Sequence, residues 1–105
     1  MPDRDELMDA MRAKGGSLRT LGYRVRFDLT DTGDAILLDG TCGRAELREA
    51  AAGEAADTAL MLTSDNLAKL VAGRLSPMLA FSTGKLRVEG SKGVAMKLAS
   101  LLDED

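Results

Sequence analysis

The residue types that most often form nucleophile–base pairs or thiolate metal sites, histidine and cysteine, are nearly absent from this chain. The sequence has no histidine and a single cysteine, Cys42, in the segment Thr41-Cys42-Gly43. Without histidine there is no Ser–His or Cys–His pair to activate a nucleophile. One cysteine supports neither an internal disulfide nor a thiolate metal cluster. A turn cysteine with no base nearby in sequence is predicted to have no catalytic role.

Acidic side chains cluster in a predicted turn and in the tail, among other places. Asp31 and Asp34 belong to the turn, and residues 103–105 are all acidic. Carboxylates at such places are normally solvated, whereas acid–base catalysis needs perturbed pKa values and a metal needs convergent oxygen ligands. The glycines match no phosphate-binding loop and are typical of turns. We therefore expect no enzymatic activity, no metal and no cofactor.

The remaining chemistry is the burial of apolar side chains. Six methionines, which adapt to irregular surroundings, suit a pocket for several ligands, although they also fill gaps in ordinary cores. Periodicity does not tell a dry core from a lined cavity, so both alternatives stay open. The residues predicted to face inward are Val25, Phe27, Ile36, Leu38, Leu60, Leu62, Leu67, Leu70, Val71, Met78, Phe81, Leu86, Val88, Met96, Leu98 and Leu101.

Hydrophobic periodicity predicts the elements that position these side chains. Alternation of apolar and polar residues predicts strands, with Tyr23, Val25, Phe27 and Leu29 on one face of the first. The predicted strands are residues 23–29, 35–39, 44–49, 58–62 and 85–89, although the alanines and glutamates of residues 44–49 would also suit a helix. Helical spacing and capping residues predict helices over residues 3–14, 65–72, 77–83 and 94–102. The expected order is α-β-β-β-β-α-α-β-α.

The stretch 75–102 is the most densely organised part of the chain. Ser76 and Pro77 are typical of a helix start, and Gly84 of a helix end. Residues 90–93, with two glycines, are expected to form a hinge that lets the last helix move as a lid. Leu18 and Leu21 are expected to tuck inward from the connection after the first helix.

One buried and one solvated strand face predict an antiparallel sheet that is covered on one side only. The element order predicts an α+β fold, a five-stranded, mostly antiparallel sheet with helices packed on one face. We expect residues 1–105 to form a single domain. Arginines and lysines are expected on the solvated face. If Leu37, Ala59 and Met61 stay uncovered there, they would form a dimer patch.

An ordered set of short motifs resembles the sterol carrier protein domain, also known as the non-specific lipid-transfer protein domain. The resemblance is dense from about residue 57 to 102, looser from 14 to 47, and fits a stand-alone prokaryotic-type member. It implies the same α+β fold with an apolar tunnel between sheet and helices. The motifs are Ala56-Asp57, residues 64–67, residues 73–77, Ala80-Phe81, Gly84-Lys85-Leu86, Gly90 and Ala95-Met96-Lys97-Leu98.

The resemblance implies a non-enzymatic domain that binds or carries a fatty acid, fatty acyl-CoA, phospholipid or sterol-like ligand. The alternative is a protein-interaction or accessory module of the same fold with a filled core and no lipid. Ser82 and Thr83 depart from the family pattern, which often has a second aromatic and an amide there. The predicted ligand-binding residues are Phe27, Leu67, Leu70, Val71, Met78, Phe81, Leu86, Val88, Met96 and Leu98.

The net charge of −3 argues against a nucleic-acid partner and against tight electrostatic docking on anionic membranes. The expected partner is a lipid or acyl-CoA, with at most transient membrane contact and a monomeric or weakly dimeric state. No apolar run approaches the roughly 20 residues of a membrane span. The chain ends in residues 102–105 without a Ser-Lys-Leu-type address, so we expect a cytoplasmic location.

Overall fold

The computed structural model describes residues 3–41, 43–51 and 53–103. Within them, neighbouring strands of one five-stranded sheet run antiparallel except for the central parallel pair, β1 and β4. The predicted mostly antiparallel sheet is therefore confirmed. In spatial order the strands are β3 (Glu46–Glu49), β2 (Ala35–Asp39), β1 (Arg24–Leu29), β4 (Thr58–Leu62) and β5 (Arg87–Gly90).

The helices come before and after the first four strands, as predicted, with one addition. In chain order the helices are α1 (Arg4–Arg12), α2 (Gly15–Leu18), α3 (Ser64–Val71), α4 (Pro77–Ser82) and α5 (Lys92–Asp103). Gly15 and Gly16, which are typical of a helix end, follow α1 but start a further helical turn, in which the N–H of Leu18 donates to Lys14 O at 3.1 Å. This turn places Leu18 and Leu21 in the core, as predicted.

Side-chain hydrogen bonds fix the starts of two helices. Asp3 Oδ1 accepts the N–H of Glu6 at 2.8 Å and so caps α1. The hydroxyl oxygen of Thr63 accepts the N–H of Asn66 at 3.2 Å and caps α3. These bonds satisfy N–H groups that have no partner within the helix, so local sequence sets where α1 and α3 begin.

One apolar layer joins the inner face of the sheet to the helices. Phe27, Ile36 and Leu62 from the strands are at most 2% exposed and belong to the same cluster as Leu67 from α3 and Leu98 from α5. Helices packed on one face are therefore confirmed.

Tyr23 does not follow its predicted placement in the buried face. The residue precedes β1 and is 42% exposed. The sheet ladder begins one residue later, with Arg24 opposite Asp39, so the ring lies at the end of the sheet. There the ammonium group of Lys97 lies 5.4 Å from the centroid of the Tyr23 ring.

The outer face of the sheet is less exposed than the strand pattern predicts. The connection from β3 to β4 must cross β2 and β1, because β3 is an edge strand and β4 lies beyond β1. On the outer face Arg26 Nη1 donates to Glu54 O at 2.7 Å. Leu37 is 2% exposed and Ala59 6% exposed, so the predicted dimer patch loses two of its three residues.

No helix among the described residues combines the length and apolar character needed to cross a membrane.

Candidate functional site

An apolar groove of about 170 Å³ lies between α4, β5 and α5 at one edge of the sheet. A single charged side chain, that of Lys92, contributes to its lining, and the other lining residues are apolar. The groove is lined by Pro77, Met78, Phe81, Leu86, Val88, Lys92, Ala95, Met96 and Ala99.

Helix α4 forms one wall of this groove. Pro77 occupies its first turn, as predicted, and is buried, although Ser76 before it makes no side-chain capping hydrogen bond. The carbonyl of Ala80 accepts the N–H groups of Lys85 at 2.9 Å and Leu86 at 3.1 Å. These two hydrogen bonds reverse the backbone directly after α4, so that Leu86 packs against this helix.

Helix α5 forms the other wall with one of its faces. Lys92, Ala95, Met96 and Ala99 recur at helical spacing and share the groove side. The two alanines leave the space that larger side chains would fill. Val94, Leu98 and Leu102 are at most 8% exposed and face the core, so α5 separates the groove from the interior.

A smaller inner cavity of about 20 Å³ continues the groove inward. Its lining shares Pro77, Leu86, Ala95 and Ala99 with the groove and adds Leu70 from α3, Leu60 from β4, Leu98 and Leu102. A cavity of this size holds about one water-sized sphere. The described residues therefore form an open groove with a narrow inner extension.

Three residues predicted to face inward stand exposed at the mouth of the groove. Met78 is 63% exposed, Phe81 50% and Met96 58%. For Met78 and Phe81 the reason is the shortness of α4: its six residues bury only Pro77 and Ala80. Helical spacing places the other apolar side chains at the rim of the groove.

The predicted ligand-binding residues divide into three groups by position. Five line the groove: Met78, Phe81, Leu86, Val88 and Met96. Leu70 and Leu98 line the inner cavity, together with Leu86. Phe27, Leu67 and Val71 are at most 3% exposed, belong to the packed core and line neither space.

Sequence reasoning missed four lining residues, Pro77, Lys92, Ala95 and Ala99. A signal for two of them is present: Ala95 and Ala99 are small residues one helical turn apart on the face that carries Met96. The predicted hinge is also shorter than expected. Lys92 and Gly93 belong to α5, and Ser91 Oγ accepts the N–H of Val94 at 3.3 Å.

The carboxylates with lowered pKa values all serve structural contacts away from the groove. Hydrogen bonds from Ser64 lower the pKa of Asp31, and those from Thr41 do so for Asp39. The side chain of Arg48 hydrogen-bonds to Glu54 and lowers its pKa to about 2.

Nothing in the described ranges 3–41, 43–51 and 53–103 gathers three or more potential metal-ligating side chains. Cys42 and residues 104–105, which the sequence analysis considered, lie outside these ranges.

Comparison with known proteins gives relatives that share part or all of this fold. Hydroxysteroid dehydrogenase-like protein 2 of Homo sapiens is 37% identical over 49 residues, which are 47% of this chain and 12% of the relative. This chain thus corresponds to a small part of that curated relative.

Two solved structures show the same fold. The sec-alkylsulfatase Pisa1 from Pseudomonas sp. superposes with a TM-score of 0.80 at 19% identity, covering 99% of this chain and 17% of that one. Palmitated SCP2L2 from Aedes aegypti superposes with a TM-score of 0.76 at 14% identity, covering 98% of this chain and 96% of that one.

A family model covers nearly the whole described chain. The SCP-2 sterol transfer family matches residues 5–103, a range that runs from α1 to the end of α5 and contains every residue of the groove. The chain therefore belongs to the SCP-2 sterol transfer family.

Proposed function

We propose that this chain is a non-enzymatic lipid-binding domain whose groove holds the apolar part of a fatty acid, fatty acyl-CoA, phospholipid or sterol-like ligand. The observation that carries the proposal is the groove itself, an apolar slot with Lys92 as its one charged lining residue. Family membership supports lipid binding and transfer in general. The palmitated state of SCP2L2, a protein of the same fold, supports an acyl ligand.

The energetics of such a site require few polar contacts. Burying one methylene gives about 0.8 kcal/mol, so about ten methylenes supply the roughly 8 kcal/mol of micromolar affinity before ordering costs are subtracted. The groove, at about 170 Å³, is smaller than the roughly 300–1,000 Å³ of sites that enclose a drug-sized ligand. Even with the inner cavity of about 20 Å³ added, the space stays below that range, so a long acyl chain requires the groove to widen.

The residues have graded roles in this proposal. Met78, Phe81, Leu86, Val88 and Met96 contact the ligand in the groove. Leu70 and Leu98 contact it once the inner cavity opens. Phe27, Leu67 and Val71 meet the ligand only if the space extends past Leu70, and otherwise support the cavity from the core. The chain acts in the cytoplasm as a single domain, monomeric or weakly dimeric.

One observation favours a second candidate function, a protein-interaction or accessory module with no lipid. The core is well filled, because Phe27, Leu67 and Leu98 are each at most 1% exposed and the inner cavity measures about 20 Å³. The alkylsulfatase and the dehydrogenase-like protein, of which this fold is a small part, would offer such a module a partner within one chain.

Native mass spectrometry separates the two candidates. The purified protein is measured directly, then after delipidation and incubation with palmitate, palmitoyl-CoA or a sterol, and bound species are identified after organic extraction. A near-stoichiometric adduct supports lipid binding and names the ligand class. An apo mass under all of these conditions would favour the filled-core module.

A further inference from the structure

The two ends of the groove differ in chemistry. Lys92, the first residue of α5, lines the groove but not the inner cavity. Ala95 and Ala99 line both spaces, and Leu102, near the end of α5, lines the inner cavity alone. Seven residues of helix, about 10 Å, separate Lys92 from Ala99. The space therefore runs from a charged end at the start of α5 to an apolar inner end.

The charge of Lys92 is not neutralised within the part of the chain that the structure describes. Every ion pair there belongs to an arginine that precedes residue 66. Residues 66–102 contain six lysines and arginines and one acid, Glu89, which gives this stretch a net charge of +5 in a chain of net charge −3. The charged end of the groove is therefore suited to an anionic group.

We propose that Lys92 binds the carboxylate of a single-chain lipid and so selects fatty acids over neutral lipids of the same chain length. The inference rests on the proposed lipid-binding function and adds to it the residue that recognises the head group and the direction of the ligand. The carboxylate lies beside the Lys92 ammonium, and the acyl chain runs past Ala95 and Ala99 towards the inner cavity.

A lysine suits this position because its side chain has two parts. The methylene stem of Lys92 lines the apolar groove, while the exposed residue keeps its ammonium group in contact with water. An ion pair in water contributes little to affinity, whereas each buried methylene of the ligand contributes more steadily. Lys92 therefore sets the choice of head group, and the acyl chain supplies most of the affinity.

The dimensions of the space favour a single acyl chain over a sterol. The groove measures about 170 Å³ and its inner extension about 20 Å³. A flexible chain adapts to a narrow slot segment by segment, but a fused ring system is rigid and wide along most of its length. A sterol would therefore require a larger displacement of α4 and α5 than a fatty acid requires.

Binding of three lipids that share one chain length tests the role of Lys92. Palmitate carries a carboxylate, 1-hexadecanol is neutral, and palmitoyl-CoA has a neutral thioester with its phosphates farther away. Displacement of a fluorescent fatty acid, whose own affinity is measured for each variant, gives the affinities for the delipidated full chain. Lys92→Met is expected to weaken palmitate binding roughly fivefold and to leave the affinity for 1-hexadecanol unchanged.

Two further variants sharpen this comparison. Lys92→Glu is expected to weaken palmitate binding roughly 25-fold, because repulsion of similar size replaces the attraction. The matched control is Lys97→Met, which removes the same charge from the same helix. Lys97 does not line the groove and lies over the Tyr23 ring, so this variant is expected to bind all three lipids as the unmodified chain does.

Nuclear magnetic resonance with carbon-13-labelled palmitate tests the direction of the ligand. We expect nuclear Overhauser effects from the terminal methyl of palmitate to the methyl groups of Ala99 and Leu102. The protons next to the carboxylate are expected to give such effects to the side chain of Lys92. A terminal methyl that lies beside Lys92 would overturn the proposed direction and the carboxylate contact with it.

The remaining outcomes separate this inference from the proposed function. If Lys92→Met leaves palmitate affinity unchanged, or weakens palmitate and 1-hexadecanol equally, Lys92 does not recognise the head group, although the groove still binds lipid. Equal losses for palmitate and palmitoyl-CoA would assign to Lys92 a general attraction of anions and overturn the carboxylate contact. If none of the three lipids binds the unmodified chain, both the inference and the proposed function are wrong.

Discussion

The carbonyl oxygen of Asp57 lies 2.9 Å from the position that a Cβ atom on Gly90 would occupy. The same carbonyl accepts the N–H of Ser91 at 3.1 Å, and Ser91 is the residue just before α5. Gly90 itself has a φ of +92°, a region that L-residues rarely adopt. The end of β5 is therefore pressed against the start of β4, and this contact sets the direction in which α5 leaves the sheet to form one wall of the groove.

Gly90→Ala is expected to destabilise the fold through both strain and overlap with Asp57. Gly33 has a φ of +79° with no atom within 4 Å of a built Cβ, so Gly33→Ala isolates the strain, roughly 1–2 kcal/mol. Gly90→Ala is expected to cost about 1–3 kcal/mol more, because the added methyl overpacks backbone. Urea unfolding measures both variants, and equal losses would show that the contact with Asp57 carries no cost.

Ala99→Phe is expected to block lipid binding without unfolding the protein. Ala99 lines both the groove and the inner cavity, so a phenyl ring there occupies the space where they meet. Exclusion of about three methylenes costs about 2 kcal/mol, or roughly 30-fold in affinity. Fluorescent fatty-acid displacement measures the affinity, and thermal unfolding checks the fold.

The control for this substitution is Ala10→Phe. Ala10 lines a separate, shallow depression between α1 and α3, so the same change there is expected to leave fatty-acid affinity unaltered. If Ala99→Phe binds as tightly as the unmodified chain, the ligand lies elsewhere and the groove proposal is wrong.

Much of the fold follows from local patterns. The alternation around Val25 and Phe27 predicts β1, and the spacing of Leu67, Leu70 and Val71 predicts α3, because one buried face imposes the period of each element. The covering of the outer face of the sheet, by contrast, cannot be predicted from local sequence patterns. Leu37 is buried because the β3–β4 connection crosses the sheet, and strand order is not a local property of the sequence.

The candidate site was predictable only in part for a related reason. Periodicity shows that Met78, Phe81 and Met96 share a side with core residues, but not whether another element covers that side. They are at least 50% exposed: Met78 and Phe81 lie on α4, a single short segment, and Met96 lies on the facing side of α5. The space in the groove comes from small residues, Ala95 and Ala99, and a search for large apolar side chains passes over them.

The contact of Glu54 with Arg48 on the outer face predicts a pH dependence of stability. Because the pKa of Glu54 in the folded state, about 2, lies below its ordinary value of 4.5, the ionised carboxylate stabilises the folded chain above pH 4.5. This contribution is lost as the pH falls from 4.5 towards 2. Glu54→Gln is expected to lower stability at neutral pH and to converge with the unmodified chain near pH 2.

Arg48→Met tests the cause of this effect, because the hydrogen bond from Arg48 is the largest contribution to the lowered pKa. In unfolding experiments, the stability of this variant is expected to change little between pH 4.5 and 2. A full acid transition in Arg48→Met would assign the pH dependence to another carboxylate, such as Asp31, whose pKa is also lowered.

Hydrogen exchange tests how the groove opens. The C-terminal end of α5 is held by Lys14 Nζ, which donates to Leu102 O at 3.0 Å, and by the burial of Leu98 and Leu102. The N-terminal end follows directly after Gly90 and carries exposed Met96. If α5 acts as a lid, it should swing about its C-terminal end, and bound palmitate should slow exchange most in residues 92–97.

Exchange in α4 is expected to slow together with that of residues 92–97, since Met78 and Phe81 form the facing wall of the groove. Helix α1 serves as the internal reference, because none of its residues lines the groove or the inner cavity. Equal protection of residues 92–97 with and without palmitate would contradict a lid. It would mean that the acyl chain of palmitate enters between α4 and α5 through side-chain movement alone. The side chains that move would then be Met78 and Met96 at the rim of the groove.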